Sequence, residues 1–285
     1  MAMDPNKLLN WPFKDLPHTY EKRDTMLYAL GLGFGSDPLD QDELRFVYEE
    51  NLLAVPSMAV VLGYPGFWMK NPDTGVNWQK ILHGEQFLEI FEPIPTEGTL
   101  IGRTKVDGIM DKGPQKGAII FTSRQIIDPS TDTLLAKVSM SVFCRGDGGC
   151  GSTMDAAPVP HAIPDRPHDL SCEITTLPQS ALIYRLSGDY NPLHADPAVA
   201  TSVGFKQPIL HGLATYGIAA RAILKSCCAY DTNKLKALNV RFSAPVYPGE
   251  TVRVDIWRDA NEIAFRATVI ERDVVVLNNG YARLT

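Results

Sequence analysis

The same local pattern occurs once in each half of the chain. Residues 26–33 form a short apolar segment around Tyr28, and residues 182–189 repeat it around Tyr184. A Pro-to-Thr turn sequence then follows in both halves: Pro93 lies 65 residues after Tyr28, and Pro245 lies 61 residues after Tyr184. A recurrence at similar spacing indicates two copies of one structural unit rather than one irregular domain.

Each copy has an apolar segment followed by runs of strand character. The apolar segments Pro56–Met69 and Gly212–Cys228 are long enough for a central helix in each copy. The predicted strands are Leu82–Phe91, Thr99–Met110, Ala118–Asp128 and Thr133–Phe143 in the first copy, and Leu235–Ala244, Thr251–Arg258, Ile263–Ile270 and Val274–Leu284 in the second. A helix followed by an antiparallel meander that wraps it is an α+β arrangement.

A segment rich in Gly and Pro separates the copies. It begins at Gly146 and continues through Pro158, Pro160, Pro164 and Pro167. This composition is typical of a linker that crosses the surface. We therefore expect an N-terminal repeat at 1–145, a linker at 146–170 and a C-terminal repeat at 171–285.

The second copy contains a run of residues suited to acid–base chemistry. Asp189, Asn191 and His194 lie between Gly188 and residue 195, and Pro192 interrupts the run. Gly and Pro disfavour a regular helix or strand here, so a turn is expected, and a turn can bring an acid and an imidazole to one point. Asn191 could orient a water molecule or the other two side chains.

A second feature follows at His211 and Gly212, where the apolar segment begins. A helix that starts at Gly212 leaves its first N–H groups without intrahelical partners, and a developing oxyanion could be held there. Taken singly, Asp189 is more typical of a turn former and each histidine of a structural residue. Asp189, His194 and His211 could also form a metal site of two histidines and one carboxylate, although the Gly after His211 favours a backbone role.

The first copy lacks these residues. Gly33 stands where the second copy has Asp189, and Val55 and Pro56 stand where it has His211. The first repeat is therefore predicted to keep the fold without the chemistry and to be free to shape a pocket.

The run from Tyr184 through Asp189, Asn191 and His194 to Ala200 closely resembles the signature of the (R)-specific 2-enoyl-CoA hydratases, the hydratase 2 family, which belong with the MaoC-like dehydratases. The resemblance covers nearly the whole chain and is similar to the two-repeat hydratase 2 region of peroxisomal multifunctional enzymes. It implies a double hot dog fold and hydration of a trans-2-enoyl-CoA to a (3R)-3-hydroxyacyl-CoA. It also implies that Asp189, Asn191 and His194 are catalytic, that Gly212 supplies the oxyanion N–H, and that no cofactor is needed beyond the CoA of the substrate.

The same resemblance points to substrate-binding residues in both halves. His83, Gly84, Lys112 and Phe242 match positions that contact the CoA thioester in the family. Simpler interpretations exist for three of them: a surface histidine at a strand end, a solvated turn lysine and a core phenylalanine. An acidic protein must nevertheless place some cations where an anionic carrier lies.

Charge and hydropathy exclude several functional classes. The net charge is −6 and no Lys/Arg run occurs, which argues against nucleic-acid binding. No stretch approaches the roughly 20 apolar residues of a membrane span, so no membrane role is expected. The five cysteines are scattered and predicted to be free thiols, as in an intracellular protein. The family resemblance places it in the peroxisome if the source is eukaryotic and in the cytoplasm otherwise.

Two alternatives and the assembly state remain open. An acyl-CoA thioesterase on the same fold would hydrolyse the thioester, and a non-catalytic module would only bind an acyl-CoA or acyl carrier. Chain-length preference and the choice between CoA and acyl carrier protein also stay open. Because one repeat alone exposes sheet edges, we expect a homodimer of two-repeat chains, or a monomer whose repeats pair internally.

Overall fold

The computed structural model describes residues 2–285, and these residues form six α-helices and ten β-strands. The helices are α1 (Pro5–Leu9), α2 (Lys22–Gly31), α3 (Gln41–Leu44), α4 (Ser180–Tyr184), α5 (Pro197–Ser202) and α6 (Gly212–Cys228). The strands are β1 (Leu16–Tyr20), β2 (Ile81–Ile90), β3 (Gly98–Asp111), β4 (Ala118–Asp128), β5 (Thr133–Cys144), β6 (Leu170–Thr175), β7 (Leu235–Phe242), β8 (Thr251–Asp259), β9 (Glu262–Val269) and β10 (Val274–Leu284).

All these strands join one antiparallel sheet in the order β1-β3-β4-β5-β2-β7-β10-β9-β8-β6. The strand order in the first half, read from the edge to the centre, is the same as that in the second half read from its own edge to the centre. The two halves meet where β2 pairs with β7, from Glu85 opposite Arg241 to Glu89 opposite Ala237. The α+β class is confirmed, and the two halves share a continuous hydrogen-bonded sheet.

The eight predicted strands are all present, with ends that differ by at most two residues from the sequence prediction. The prediction missed β1 and β6, the two edge strands of the sheet. Both are short, with five and six residues, and most of their side chains are not buried. An alternating apolar pattern is therefore nearly absent from them. β6 also begins at Leu170, the last residue assigned to the linker.

The helix predicted over Pro56–Met69 was wrong. Only a short 3-10 helix forms at Pro56–Val60, with another turn at Trp68–Lys70. Gly63 has φ +58° and packs so closely on β3 that a Cβ there would lie 2.6 Å from Gly102 Cα. Pro65 and Gly66 follow at once, so the backbone cannot continue as a helix. The first half therefore lacks the long central helix of the second.

The central helix of the second half, α6, begins and ends where the sequence predicts. It buries many small residues, which lets the strands wrap close around it, and a shared apolar core includes side chains of both halves. Its buried Arg221 donates to both carboxylate oxygens of Glu43 on α3, each at 2.7 Å. This ion pair fixes the helix of one half to the other half.

The segment between the repeats follows an ordered path along the sheet. The N–H groups of Gly149 and Gly151 donate to the Asp111 carboxylate at 2.9 and 2.8 Å, which anchors the segment to the first half. Further on, Asn279 of β10 donates to the His161 carbonyl at 2.8 Å. The linker thus contacts both repeats.

None of the helices within residues 2–285 has the length and apolar character that crossing a membrane would require. The five cysteines carry free thiols, as the sequence predicts.

Candidate active site

The turn predicted between Tyr184 and His194 is present. After α4 the chain passes through Gly188, at φ +116°, and enters a 3-10 turn at Pro192–His194. The Asp189 Oδ1 accepts from the Asn191 N–H at 3.1 Å, and the Asn191 Oδ1 accepts from the Leu193 N–H at 3.1 Å. Both side chains therefore stabilise the turn, and Asn191 holds the segment that carries His194. Asp189 is exposed and has its second carboxylate oxygen available.

His194 is buried, with 8% of its surface exposed. Its Nδ1 lies 2.8 Å from the Ile209 carbonyl oxygen. Since a carbonyl can only accept, Nδ1 carries the proton and Nε2 keeps its lone pair. Burial lowers the pKa of His194 below its ordinary 6.5, although the bond to Ile209 and the charge of Asp189 oppose the shift. The ring is therefore neutral at pH 7 and suited to accept a proton at Nε2.

His211 stacks on His194, with ring centroids 3.7 Å apart and an angle of 26° between the planes. Its Nε2–H donates to the Asp189 carbonyl oxygen at 3.1 Å. Burial, and then the neighbouring His194, lower its pKa to about 4, so this ring is also neutral at pH 7. His211 thus supports both proposed catalytic residues, a role that the predicted catalytic set omitted.

The alternative metal site can be judged from the same contacts. Potential ligand atoms of Asp189, His194 and His211 all lie within 4.8 Å of one another. However, an imidazole binds a metal through a lone pair in the ring plane, and two nearly parallel stacked rings do not direct their lone pairs to one point. The stacked geometry disfavours joint coordination of an ion.

Gly212 begins α6, and the preceding His211 provides no side-chain cap. The first N–H groups of the helix therefore have no intrahelical partners and are available to bind an oxyanion. A Cβ at Gly212 would lie 3.3 Å from the Phe242 ring, so the helix start packs closely against the end of β7. Phe242 in turn contacts His83 of the first half, with ring centroids 4.7 Å apart. Gly212, Phe242 and His83, three of the predicted site residues, are thus linked by contacts that cross from the second half to the first.

The simpler interpretation of His83 as a surface histidine at a strand end is not supported. It lies opposite Val142, where a bulge interrupts the β2–β5 pairing, and its Nε2 is buried without a partner among the described residues. Burial lowers its pKa to about 4. Gly84 forms the bulge, and a Cβ there would lie 2.9 Å from Ser141 Oγ.

Lys112 lies apart from the catalytic residues. It is exposed in the β3–β4 hairpin, and its backbone N–H donates to the Gly117 carbonyl at 2.9 Å. The strand register places the hairpin at the same end of the sheet as His83, since Asp111, Ala118, Cys144 and Ile81 lie opposite one another in turn. Its predicted contact with CoA stays a prediction.

Gly33, the first-half counterpart of Asp189, lies in a different environment. It has φ +84°, and a Cβ there would lie 2.9 Å from the Arg221 guanidinium. The space that holds a carboxylate in one half is thus occupied by a structural ion pair in the other. This arrangement agrees with a first repeat that retains fold without acid–base residues.

Aromatic and cationic residues around the site were not predicted as functional. The Tyr184 ring lies 5.0 Å from that of His211 and 5.7 Å from that of Tyr28. Arg185 covers the Tyr190 ring at 5.0 Å, and its charge helps to lower the pKa of both site histidines. The repeated tyrosines were visible in the sequence, but only as markers of the repeat.

Two family models match the chain, one in each half. The model described as the MFE-2 hydratase 2 N-terminal domain matches residues 18–146, and the MaoC like domain matches residues 160–279. A peroxisomal enoyl-CoA hydratase 2 from Arabidopsis thaliana is 36% identical over 293 residues, covering 95% of this chain and 92% of that protein.

Solved structures agree with these matches. A MaoC-like dehydratase from Phytophthora capsici superposes with a TM-score of 0.88 at 40% identity and covers 98% of both chains. A Mycobacterium tuberculosis protein described as a double hotdog fold has a TM-score of 0.55 at 16% identity, over 94% of this chain and 92% of that one. The predicted double hot dog fold is therefore confirmed. With matching models in both halves and close relatives over nearly its whole length, the chain belongs to the enoyl-CoA hydratase 2 family of MaoC-like dehydratases.

Proposed function

We propose that the chain adds water to trans-2-enoyl-CoA thioesters to give (3R)-3-hydroxyacyl-CoA, a reversible hydro-lyase reaction of fatty-acid β-oxidation. The observation that carries this proposal is the meeting of Asp189, neutral His194 and the uncapped start of α6 beside Phe242 and His83. The enoyl-CoA hydratase name of the Arabidopsis relative supports the reaction.

In this mechanism the Nε2 of His194 takes a proton from water, which attacks the β-carbon of the enoyl group. The bond from Nδ1 to Ile209 keeps the ring in the required tautomer. Asp189 holds the water through its free carboxylate oxygen, accepts the proton from the Nε2 of His194 and passes it to the α-carbon, so both groups end in their starting protonation states. Asn191 orients the pair by stabilising the turn on which both lie.

The Gly212 N–H holds the thioester oxygen as negative charge develops on it. A single donor of this kind contributes about 3 kcal/mol of transition-state stabilisation. His83, Gly84 and Phe242 bind the thioester region, and Lys112 binds the anionic carrier. The reaction requires no cofactor beyond the CoA of the substrate and no metal.

Two measurements on one reaction test the activity. Incubation with trans-2-decenoyl-CoA should remove the absorbance of the enoyl thioester without releasing free thiol, and chiral analysis should give the 3R alcohol. Release of thiol would indicate a thioesterase. Binding without turnover would indicate a non-catalytic module.

The assembly and location of the protein are further parts of the proposal. The repeats already pair internally through β2 and β7, and β1 and β6 remain as sheet edges. We expect two such chains to form a homodimer, which sedimentation equilibrium would show as twice the chain mass. In a eukaryotic cell we expect the peroxisome, as in the name of the Arabidopsis relative, and otherwise the cytoplasm.

A further inference from the structure

A buried cation lies on the core side of the first half. Arg124 of β4 is 6% exposed and alternates with Ile120 and Ile126, so all three side chains point to the same face of the sheet. Ile120 and Ile126 belong to two separate apolar clusters. Arg124 therefore lies between these clusters, inside the half that carries no acid–base residues.

Arg124 has few partners for a buried guanidinium. One Nη2–H donates to the Val60 carbonyl at 2.7 Å, and the group lies 5.4 Å from the centroid of the Tyr64 ring. Its Nε is buried with no hydrogen bond, and no carboxylate forms an ion pair with it among residues 2–285. Burial lowers its pKa to about 10, which still leaves it charged at pH 7.

The comparison with Arg221 shows how unusual this is. Arg221 is equally buried, at 5% exposure, but donates to both oxygens of Glu43. Burying a charge without a counter-charge costs several kcal/mol. The fold supplies a carboxylate to one buried arginine and not to the other.

Two further buried polar atoms without partners lie in the same half. The Thr104 hydroxyl is opposite Arg124 on β3, and the His83 Nε2 is on β2 beside Phe242. His83 lies opposite Val142 of β5, and Val142 lies opposite Ile120 of β4, four residues before Arg124. Two strand spacings and four residues along β4 put the His83 and Arg124 Cα atoms roughly 17 Å apart. Unsatisfied polar atoms therefore lie near one end of this sheet, at His83, and in its middle, at Thr104 and Arg124.

Tyr64 connects this region with the catalytic residues. Its ring covers Arg124 and is 39% exposed. Desolvation raises the pKa of Tyr64, and the charges of Arg124 and Asp189 respectively lower and raise it. The same Asp189 charge also acts on His83. Arg124 and Asp189 thus act on the same tyrosine, which links the buried cation to the proposed active site.

We propose that Arg124 binds a carboxylate at the far end of the acyl chain, so that the preferred substrates are CoA monoesters of dicarboxylic enoic acids. A carboxylate accepts from the free Nε–H and a second guanidinium N–H, and it accepts also from the Thr104 hydroxyl. The inference rests on the proposed hydratase activity and names its substrate class.

The test compares two substrates of equal length, trans-2-decenoyl-CoA and its ω-carboxyl analogue trans-2-decenedioyl-CoA. We expect the wild type to hydrate the ω-carboxyl substrate with a higher kcat/KM than the plain chain. Arg124→Met should lower kcat/KM for the ω-carboxyl substrate by about 10- to 100-fold, mainly through KM, because a charge-assisted contact is lost. Turnover of the plain chain should change by less than about threefold, and Arg124→Lys should restore part of the preference.

Lys137→Met provides a matched control, since Lys137 lies beside the strand position opposite Arg124 but on the outer face, in an exposed pair with Glu89. It should leave the substrate ratio unchanged. The proposal is wrong if the wild type does not prefer the ω-carboxyl chain, a result that needs no variant to fold. It is also wrong if Arg124→Met impairs both substrates equally, which would show that the arginine only anchors Val60. Failure of the wild type on the plain chain would instead contradict the hydratase activity itself.

Discussion

At the scale of single residues, the site depends on two side chains that a short turn holds together. Asp189 and Asn191 each accept a backbone N–H within the turn, and His194 is fixed by Ile209. The local bonds do not conflict with a catalytic role, because each proposed catalytic group keeps one reactive atom free. The simpler interpretation of Asp189 as a turn former and the functional one are thus both compatible with the geometry.

Substitution of either residue should abolish most of the activity without unfolding the protein. We expect Asp189→Asn and His194→Ala each to reduce kcat by about 10²-fold or more, which is the usual contribution of a general acid or base. Asp189→Asn keeps an oxygen for the Asn191 N–H, so the turn should survive. Steady-state kinetics together with thermal unfolding measure both effects, and near-wild-type turnover of either variant would contradict the assignment.

The buried histidines predict how activity and stability depend on pH. His83 and His211 have pKa values of about 4, and that of His194 is also lowered from 6.5. The unfolded chain therefore binds protons at higher pH than the folded one. Stability from these groups is complete above about pH 6.5 and is lost as pH falls toward about 4.

Urea unfolding at about pH 7, 5.5 and 4.5 measures this loss. The acid limb of kcat should likewise have its midpoint below 6.5, because only neutral His194 acts as a base. His83→Gln removes one of the three titrating groups and should flatten the stability profile. An unchanged profile would show that His83 does not contribute.

At the scale of elements, the first half differs from the second mainly in the segment after Pro56. The chain there makes turns in place of a long helix, and it packs backbone against backbone where Gly63 meets Gly102. The result is a half whose sheet is covered by a loop that carries Tyr64 over Arg124. The core side of the first half therefore lacks a long helix like α6.

The close approach of this loop to β3 predicts a large difference between two glycines on one strand. A Cβ at Gly102 would lie 2.7 Å from Gly63 Cα, which is backbone and cannot give way. Gly102→Ala should therefore destabilise the protein by about 1–3 kcal/mol. At Gly108 the nearest atom is Met154 Sδ at 2.9 Å, the flexible part of a side chain, so Gly108→Ala is the control and should cost less. Urea unfolding of both variants measures this difference in the free energy of unfolding. Equal stabilities would contradict the close packing at Gly102.

At the scale of the whole molecule, the proposed function divides the work between the two repeats. In this proposal the second repeat supplies Asp189, His194 and Gly212, and the first supplies His83, Gly84 and Lys112. They are joined through β2 and β7, where Phe242 meets His83. A site that spans this junction explains why a repeat without acid–base residues is retained.

This division predicts opposite kinetic signatures for the two halves. Lys112 is exposed in the β3–β4 hairpin of the half without acid–base residues, so Lys112→Ala should raise KM and leave kcat nearly unchanged. The effect should shrink with added salt, since an exposed charge is screened over about 8 Å at physiological ionic strength. Lys116→Ala in the same hairpin is a matched control for a general loss of charge. Loss of kcat at unchanged KM in Lys112→Ala would instead place the first half in the chemistry.

Features that depend on local patterns could be predicted from the residue order. Alternating and helical periodicities located eight strands and α6, and Gly188 with Pro192 required the turn that carries Asp189 and His194. These predictions succeeded because burial on one face of a strand or helix leaves a periodic record in the residues themselves.

Features that depend on distant partners became visible only in the folded chain. The segment after Pro56 is apolar enough for a helix, but its close contact with Gly102 excludes one. His211 stacks on His194, and His83 reaches Phe242, only because α6 and the β2–β7 pairing bring them together. Likewise, the local sequence does not show that Arg221 has a carboxylate partner and Arg124 has none. Whether a buried charge finds a carboxylate depends on which strands and helices pack around it.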